Sequence, residues 1–273
     1  MKFKKKSETV VATVVYDKSI NNLKNLSNSL HCQSDKDFDL LILNDGVDNI
    51  YNYINNNLNI KIINTKGSIS RIRIRMINQC KKMNYKSIIF IDSDDYLDEE
   101  RVYITKKYLK KNSIVVNDIH LIDKKKKIIK KNFFSKRLKN KLKISNLDIL
   151  EKNFLGLTNT AMKTSIIKNI NLNHLTTAPI FDWSFWYMML QKNKAIFTNE
   201  TSTYYYNSYA SSTSLLNNSD KSIQLKKEIK NRQIIYLKKN FEYPILKKVN
   251  YNHKFKIVSK HLFWWEVRGK ISA

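Results

Sequence analysis

Three aspartates stand close together directly after an apolar run. Residues 88–91 are all apolar, three of them isoleucine, and Asp92, Asp94 and Asp95 follow at once. An unbroken apolar run is typical of a strand buried on both faces, so this strand would end at a group of carboxylates. Alternate residues of an extended chain point the same way about 6–7 Å apart, so Asp92 and Asp94 could bind one hard cation through oxygen. The alternative is a solvated acidic turn before a helix that begins near Leu97.

The segments before this motif alternate between two patterns. Apolar, β-branched runs predict strands, and apolar residues at three- and four-residue spacing predict helices. The predicted order is strand Thr9–Tyr16, helix Asn21–Leu30, strand Phe38–Leu43, short helix Ile50–Leu58, strand Ile60–Ile63, basic helix Ser70–Met83 and strand Ser87–Ile91. Such alternation predicts an α/β fold, with a Rossmann-type, mostly parallel sheet flanked by helices.

Polar side chains follow three of these strands. Tyr16 and Asp17 follow the first, Asp45 the second, and Asp92 with Asp94 the last. In open sheets of this kind ligands bind beyond the carboxyl ends of the strands, so these residues should face one crevice. Neither G-x-G-x-x-G nor G-x-x-x-x-G-K-[ST] occurs among the four glycines of the chain. Dinucleotide dehydrogenases and P-loop enzymes are therefore disfavoured.

The composition is that of a globular and very basic protein. The chain has 273 residues, 42% of them hydrophobic, and a formal net charge of +27. This charge either attracts phosphates, anionic lipids or acidic glycans, or reflects codon drift in an AT-rich genome. Two cysteines are too few for a disulfide framework and favour a reducing compartment. Without a long uncharged apolar run, the protein is expected in the cytoplasm, either soluble or peripheral on the inner face of the membrane.

Several motifs, in this order, resemble those of GT-A-fold glycosyltransferases of family 2. That family typically reads Y-N, N-D-G, an Arg-bearing helix, F-[LI]-D-x-D-D, E-D-W-x-F-W and Y-R-x-H-x-x-S-x-S. The similar stretches here are residues 16–17, 44–46, 71–75, 90–95, 181–186 and 206–214. The resemblance covers roughly residues 8–215. It implies an inverting transfer of a sugar from a nucleotide sugar to a glycan or lipid-linked acceptor.

The resemblance also implies roles for the residues of the crevice. Asp45 would accept a hydrogen bond from the nucleotide base, most often uracil, and Asp92 would hold the ribose or the metal. Asp94 would ligate Mg²⁺ or Mn²⁺ that bridges the diphosphate. Only one of Arg71 and Arg73 would reach the diphosphate, because positions two apart on a helix do not share a face. The alternative is a solvated basic face that also contains Arg75 and Lys82. The other residues assigned to the nucleotide sugar are Tyr16, Asp17 and Ser93.

Asp182 is the candidate general base. An inverting transfer needs one carboxylate to take the proton of the acceptor hydroxyl, and the apolar neighbours of Asp182 would raise its pKa. The alternative is an N-cap of a helix over 183–190. The candidate acceptor-binding residues are Trp183, Thr158 and Asn159. For these the alternatives are core packing of the tryptophan and an ordinary turn.

Some positions depart from the family pattern. At five positions where the family has Asn, Ser, Glu, Arg and His, this chain has, respectively, Asp17, Val47, Phe181, Asn207 and Tyr209. The last change leaves the third metal ligand open and could signal weak metal affinity or an inactive relative. Because all four key aspartates are present, activity is favoured.

The chain divides into three predicted parts. Residues 1–111 form the nucleotide-sugar-binding half, 112–219 the acceptor-binding half, and 220–273 a basic amphipathic helical extension. The extension, which contains Trp264 and Trp265, suits an anionic membrane surface, with packing on the domain or a dimer interface as alternatives. No nucleic-acid-binding motif is present. The rival functions are a decayed transferase scaffold that binds membrane or nucleic acid, and a nucleotidyltransferase, which should carry a glycine-rich basic loop after its first strand.

Overall fold

The computed structural model describes residues 3–123, 125–138, 142–150, 153–206 and 220–242. Ten strands occur in these ranges. They are β1 (Thr9–Tyr16), β2 (Asp39–Asp45), β3 (Ile60–Asn64), β4 (Ser87–Phe90), β5 (Tyr96–Leu97), β6 (Ile114–Ile122), β7 (Ile128–Lys130), β8 (Lys143–Ile144), β9 (Thr160–Lys163) and β10 (Ala195–Tyr206). The α-helices of these ranges are α1 (Ile20–His31), α2 (Ile69–Lys82), α3 (Arg101–Leu109), α4 (Ser135–Leu138), α5 (Phe181–Lys192) and α6 (Asp220–Asn240).

All the strands belong to one sheet, with helices on both of its faces. The main strand order is β3-β2-β1-β4-β9-β6-β10-β5, with β7 paired to β6 and β8 to β10. The first four strands of this order are parallel, whereas β9 is antiparallel to both β4 and β6. The predicted α/β class is confirmed. Because β9 joins the two predicted halves of the domain, both halves share one sheet.

Two apolar clusters cover the two faces of the sheet. One cluster packs α2 and α5 against one face, and the other packs α1 and α3 against the opposite face. Because helices cover both faces of the sheet, its strands consist mainly of apolar, β-branched residues. In β1, for example, seven of the eight residues are buried. The chain order 3-2-1-4 places β1 at a topological switch point, where α/β sheets bind ligands.

Two local predictions were wrong. The helix expected near Leu97 begins at Arg101, because Tyr96 and Leu97 pair with β10 as the short strand β5. The helix expected over 50–58 is only a 3-10 turn at Ile50–Tyr53. The β5 pairing joins residues more than 100 positions apart, so no local sequence pattern announces it.

The described part of the C-terminal extension packs on the domain. Gln233 and Leu237 of α6 are fully buried. Two further contacts hold its end, since the Tyr187 hydroxyl and the Gln191 amide both donate to the Glu242 carbonyl, at 3.1 and 3.0 Å. The tryptophan pair predicted to meet a membrane lies outside the described residues. Within the described part of the chain, no helix combines the length and the apolarity that a membrane span needs.

Candidate active site

The carboxyl ends of β2, β1 and β4 bring the predicted donor-binding residues together. Tyr16 and Asp45 face each other in the register of β1 and β2. On the other side of β1, the Ile91 amide donates to the Ala12 carbonyl at 3.2 Å, so Asp92 follows at the same edge. The predicted crevice would therefore lie here, at the switch point of the sheet.

A tight turn presents Asp45 at this edge. The Asn44 side chain closes the turn, because it accepts a hydrogen bond from the Val47 amide at 3.0 Å and donates to the Val47 carbonyl at 2.8 Å. Gly46 has a φ of +86°, a conformation that side chains rarely adopt, so glycine suits this position. Asp45 is left partly exposed on the crevice side of the turn.

The aspartate motif alternates between the crevice and the interior. Asp92 and Asp94 are partly exposed, whereas Ser93 and Asp95 are each only 1% exposed. The Ser93 hydroxyl donates to the Ser19 hydroxyl at 2.7 Å, which ties this loop to the turn after β1. Ser93, predicted to contact the donor, is thus placed behind the crevice and holds the loop.

Asp95 anchors the motif from the inside, a role that the sequence analysis missed. Its carboxylate accepts hydrogen bonds from the Thr158 hydroxyl at 2.5 Å and the Tyr206 amide at 2.8 Å. Burial raises the pKa of Asp95 well above its usual value, and the charges of Asp94 and Asp92 raise it further. In an extended chain, residues an odd number of positions apart point to opposite sides. Asp95 lies an odd number of positions from both Asp92 and Asp94, and this spacing was the signal for its inward direction.

Arg73 joins two aspartates that lie far apart in the sequence. Its guanidinium donates to Asp92 Oδ1 at 3.2 Å and to Asp182 Oδ1 at 2.7 Å, a contact across 109 residues. Although burial disfavours the charged form, the carboxylates of Asp182 and Asp92 raise the pKa of this arginine, and Tyr16 also contributes. The bridge brings the end of β4 and the start of α5 to one point.

Asp182 has the surroundings predicted for a base. It is the second residue of α5, whose N-cap is Ile180, so the capping alternative is wrong. Burial raises the pKa of Asp182 to about 6. The charge of Arg73 acts to lower this pKa, and the charge of Asp92 acts to raise it. A carboxylate with this pKa is mostly ionised at neutral pH and is a stronger base than an ordinary aspartate.

Other predicted residues lie elsewhere. Arg71 and Asp17 are exposed, and Arg71 does not share the bridge that Arg73 makes. The three predicted acceptor residues are almost completely buried: Trp183 donates to the Ile149 carbonyl at 2.6 Å, Thr158 binds Asp95, and Asn159 accepts from the Gly156 amide at 2.9 Å. With no exposed surface to offer an acceptor, these three side chains position the site from behind.

The carboxylates at this edge fit a divalent cation shared with a substrate. Among the described residues no group of three or more ligating side chains lies together. Mg²⁺ commonly takes only one or two protein carboxylates and completes its shell with phosphate oxygens and water. Asp94 and Asp92, two positions apart and both partly exposed, would supply such a set. Asn207 and Tyr209 of the last motif lie outside the described residues.

A buried glutamine of α6 supports the first turn of α5 from behind. Gln233 is fully buried, accepts a hydrogen bond from the Ile180 amide at 2.8 Å and donates to the Ser184 hydroxyl at 2.8 Å. These two partners flank Asp182 in the chain. The C-terminal extension thereby fixes the turn that carries the candidate base.

Replacing Gln233 by leucine should destabilise the protein by about 1–3 kcal/mol, because the Ile180 amide and Ser184 hydroxyl lose a buried partner. The free energy of unfolding in urea measures this loss. Ile235→Ala is the matched control on the same helix, since Ile235 is 64% exposed and should change the stability little. Equal stability of the two variants would contradict the buried clamp.

Several solved structures share the fold of this chain. S. aureus TarS, residues 1–349 with UDP, is 16% identical with a TM-score of 0.57, over 85% of this chain and 73% of that one. Mannosyltransferase PcManGT from Pyrobaculum calidifontis, with GDP-Man and Mn²⁺, is 9% identical with a TM-score of 0.54, over 84% and 69%. GalNAc-T7 with UDP, GalNAc and Mn²⁺ is 12% identical with a TM-score of 0.50, over 72% and 43%. No protein-family model matches the sequence, and no curated protein shows significant similarity to it.

These neighbours share the strand and helix arrangement of this chain over 72% to 85% of its length. The chain has the GT-A fold. In this GT-A domain the bridge of Arg73 lies at the carboxyl edge of the sheet, between the end of β4 and the first turn of α5. Family 2 within the GT-A fold stays a prediction from the sequence motifs.

Proposed function

We propose that the protein is a glycosyltransferase that moves a sugar from a nucleoside-diphosphate sugar, with UDP as the first candidate, to a hydroxyl of a glycan or lipid-linked acceptor, with inversion. The observation that carries this proposal is the convergence of Asp92 and Asp182 on Arg73 at the switch point of the sheet. Support comes from the GT-A neighbours, whose structures contain UDP, UDP-GlcNAc or GDP-Man.

The donor half of the site divides its work among the three strand ends. Asp45, partly exposed beside Tyr16, would accept a hydrogen bond from the base, and Asp92 would hold the ribose or share the metal. Asp94 would ligate Mg²⁺ or Mn²⁺, which neutralises the charge that builds on the leaving diphosphate. Of the two candidate arginines, Arg73 would help bind the diphosphate, because its guanidinium lies against Asp92.

Asp182 is the proposed general base of the transfer. The acceptor oxygen forms a bond to the anomeric carbon while the bond from that carbon to the diphosphate oxygen breaks, and Asp182 takes the hydroxyl proton. The nucleoside diphosphate leaves with the electron pair of the broken bond. One displacement from the opposite face inverts the anomeric configuration, so the product stereochemistry tests this step directly.

Nucleotide binding is the first experiment for this proposal. Thermal unfolding is measured with UDP, GDP, CDP and ADP, with and without Mn²⁺. A nucleotide at about 100 times its Kd adds about 2.7 kcal/mol, which should raise the Tm by about 5 °C. The shift should depend on Mn²⁺ and be largest for one base. Absence of a shift with every nucleotide would contradict the proposed site.

The pH dependence of the rate should reflect Asp182. With a pKa of about 6, the carboxyl is protonated below that pH and cannot take a proton, so kcat/KM should fall about tenfold at pH 5. Arg73→Gln removes a charge that lowers this pKa and should move the acid limb to higher pH. A limb that stays in place in Arg73→Gln would assign the ionisation to another group.

A further inference from the structure

A basic groove lies at the end of the sheet opposite to the aspartates. It has a volume of about 970 Å³, and its lining includes Thr9 and Ser87, the first residues of β1 and β4. Seven of its sixteen lining residues are lysines, and Glu8 is the one carboxylate among them. A strand of eight residues spans about 26 Å, so this groove is separate from the proposed donor site.

Few of these positive charges are neutralised locally. Glu8 is paired with Lys86 at 2.6 Å, and Lys106 reaches Asp35 and Asp37 at 2.9 and 3.0 Å. Lys82, Lys110 and Lys168 are exposed and have no ion-pair partner among the described residues. The groove therefore carries an excess positive charge that a mobile anion would have to balance.

The lysines come from both faces of the sheet. Lys81 and Lys82 end α2 on one face, and Lys110 follows α3 on the other. Helix C-termini favour nearby cations, which accounts for these lysines in part. Lys86 instead directly precedes β4 and Lys163 ends β9, so both lie at the same end of these two paired strands. The basic lining thus extends across this end of the sheet, from one face to the other.

We propose that this groove binds a linear polyanion that carries phosphate groups, as a segment of the acceptor distant from its reacting end. This assignment rests on the proposed transferase function and names the class of its acceptor. A chain that crosses this end of the sheet would meet in turn the lysines of α2, those beside β4 and β9, and that of α3. None of the large apolar residues exposed in the described part of the chain lines the groove, which disfavours a membrane surface. Tyr85 in its wall is only 2% exposed, so no ring stacks nucleic-acid bases there.

The test compares two triple variants of equal net charge. Lys82→Gln, Lys110→Gln and Lys168→Gln are combined in the groove variant. Lys192→Gln, Lys194→Gln and Lys239→Gln are combined in the control, because these three lysines are exposed and do not line the groove. The probe is a short inorganic polyphosphate of defined length, and calorimetry gives its Kd over a range of salt concentrations.

The groove variant should lose about tenfold or more in polyphosphate affinity and show a weaker salt dependence, whereas the control should stay within about threefold of the wild type. An equal loss in both variants would mean that only net charge matters and would overturn the proposal. Two other results would overturn it as well. One is a groove variant that keeps the wild-type affinity for polyphosphate but no longer binds anionic vesicles. The other is a wild-type protein that binds single-stranded DNA more tightly than polyphosphate. Mn²⁺-dependent nucleotide stabilisation should be the same in all three proteins, so a failure of the donor site would be seen separately.

Discussion

Replacing Asp182 by asparagine should lower kcat by about 10²–10⁴-fold and leave nucleotide affinity and folding nearly unchanged. Asparagine has the same shape, and its oxygen can still accept the hydrogen bond that Arg73 gives to Asp182 at 2.7 Å. It cannot take the proton of an acceptor hydroxyl. Release of nucleoside diphosphate measures kcat, and nucleotide-induced thermal stabilisation measures donor binding.

The matched control for Asp182 is another carboxylate that is ion-paired away from the crevice. Glu200 contacts Lys107 at 2.7 Å on the surface, so Glu200→Gln should keep the wild-type rate within about twofold. If Asp182→Asn instead turned over at the wild-type rate, another group would be the base. Loss of nucleotide binding in Asp182→Asn would assign the residue a structural role through Arg73.

Asp94→Asn should abolish the response to the metal while the protein keeps its folded stability. A neutral amide is a poor ligand for a hard divalent cation, and the metal contributes several kcal/mol to stabilising the leaving group, so turnover should fall by at least about 10²-fold. Asp94 is partly exposed, so the substitution leaves the core intact. Mn²⁺-dependent thermal stabilisation by the preferred nucleotide is the direct measurement.

Asp95→Asn is the control at the adjacent position, because Asp95 points into the interior and accepts hydrogen bonds from Thr158 and Tyr206. An asparagine can accept from the Tyr206 amide and donate to the Thr158 hydroxyl, so Asp95→Asn should keep its response to Mn²⁺. An Asp94→Asn variant that responds to Mn²⁺ like the wild type would remove the metal site from Asp94. Loss of the response in Asp95→Asn alone would show that the anchor of the loop, and not the ligand, controls metal binding.

Local sequence patterns predicted the donor half of the fold well. The strand over Thr9–Tyr16 has the predicted bounds, and α2 begins and ends one residue from its prediction. Such elements are specified by the period of their own apolar residues, which is visible in a short window. The helix predicted near Leu97 failed for the opposite reason, since the partner of β5 is β10, at the far end of the described domain.

The candidate site was predicted in its chemistry but only partly in its geometry. The sequence left Arg71 and Arg73 open, and the structure places Arg73 between two carboxylates while Arg71 faces solvent. Thr158 and Asn159 were predicted to bind the acceptor, with an ordinary turn as the alternative. They are buried because the loop supplies hydrogen bonds to Asp95 and to its own backbone, partners that no local pattern shows.

By itself the sequence determined which strands end in carboxylates, because side-chain type and spacing along one element are local properties. The tertiary structure alone decided that Asp182 meets Arg73, that Gln233 supports the turn beneath it, and that lysines from separate elements line one groove. Each of these contacts depends on how distant elements pack on the two faces of the sheet. Packing is a sum over the whole chain, so it cannot be read from any one segment of it.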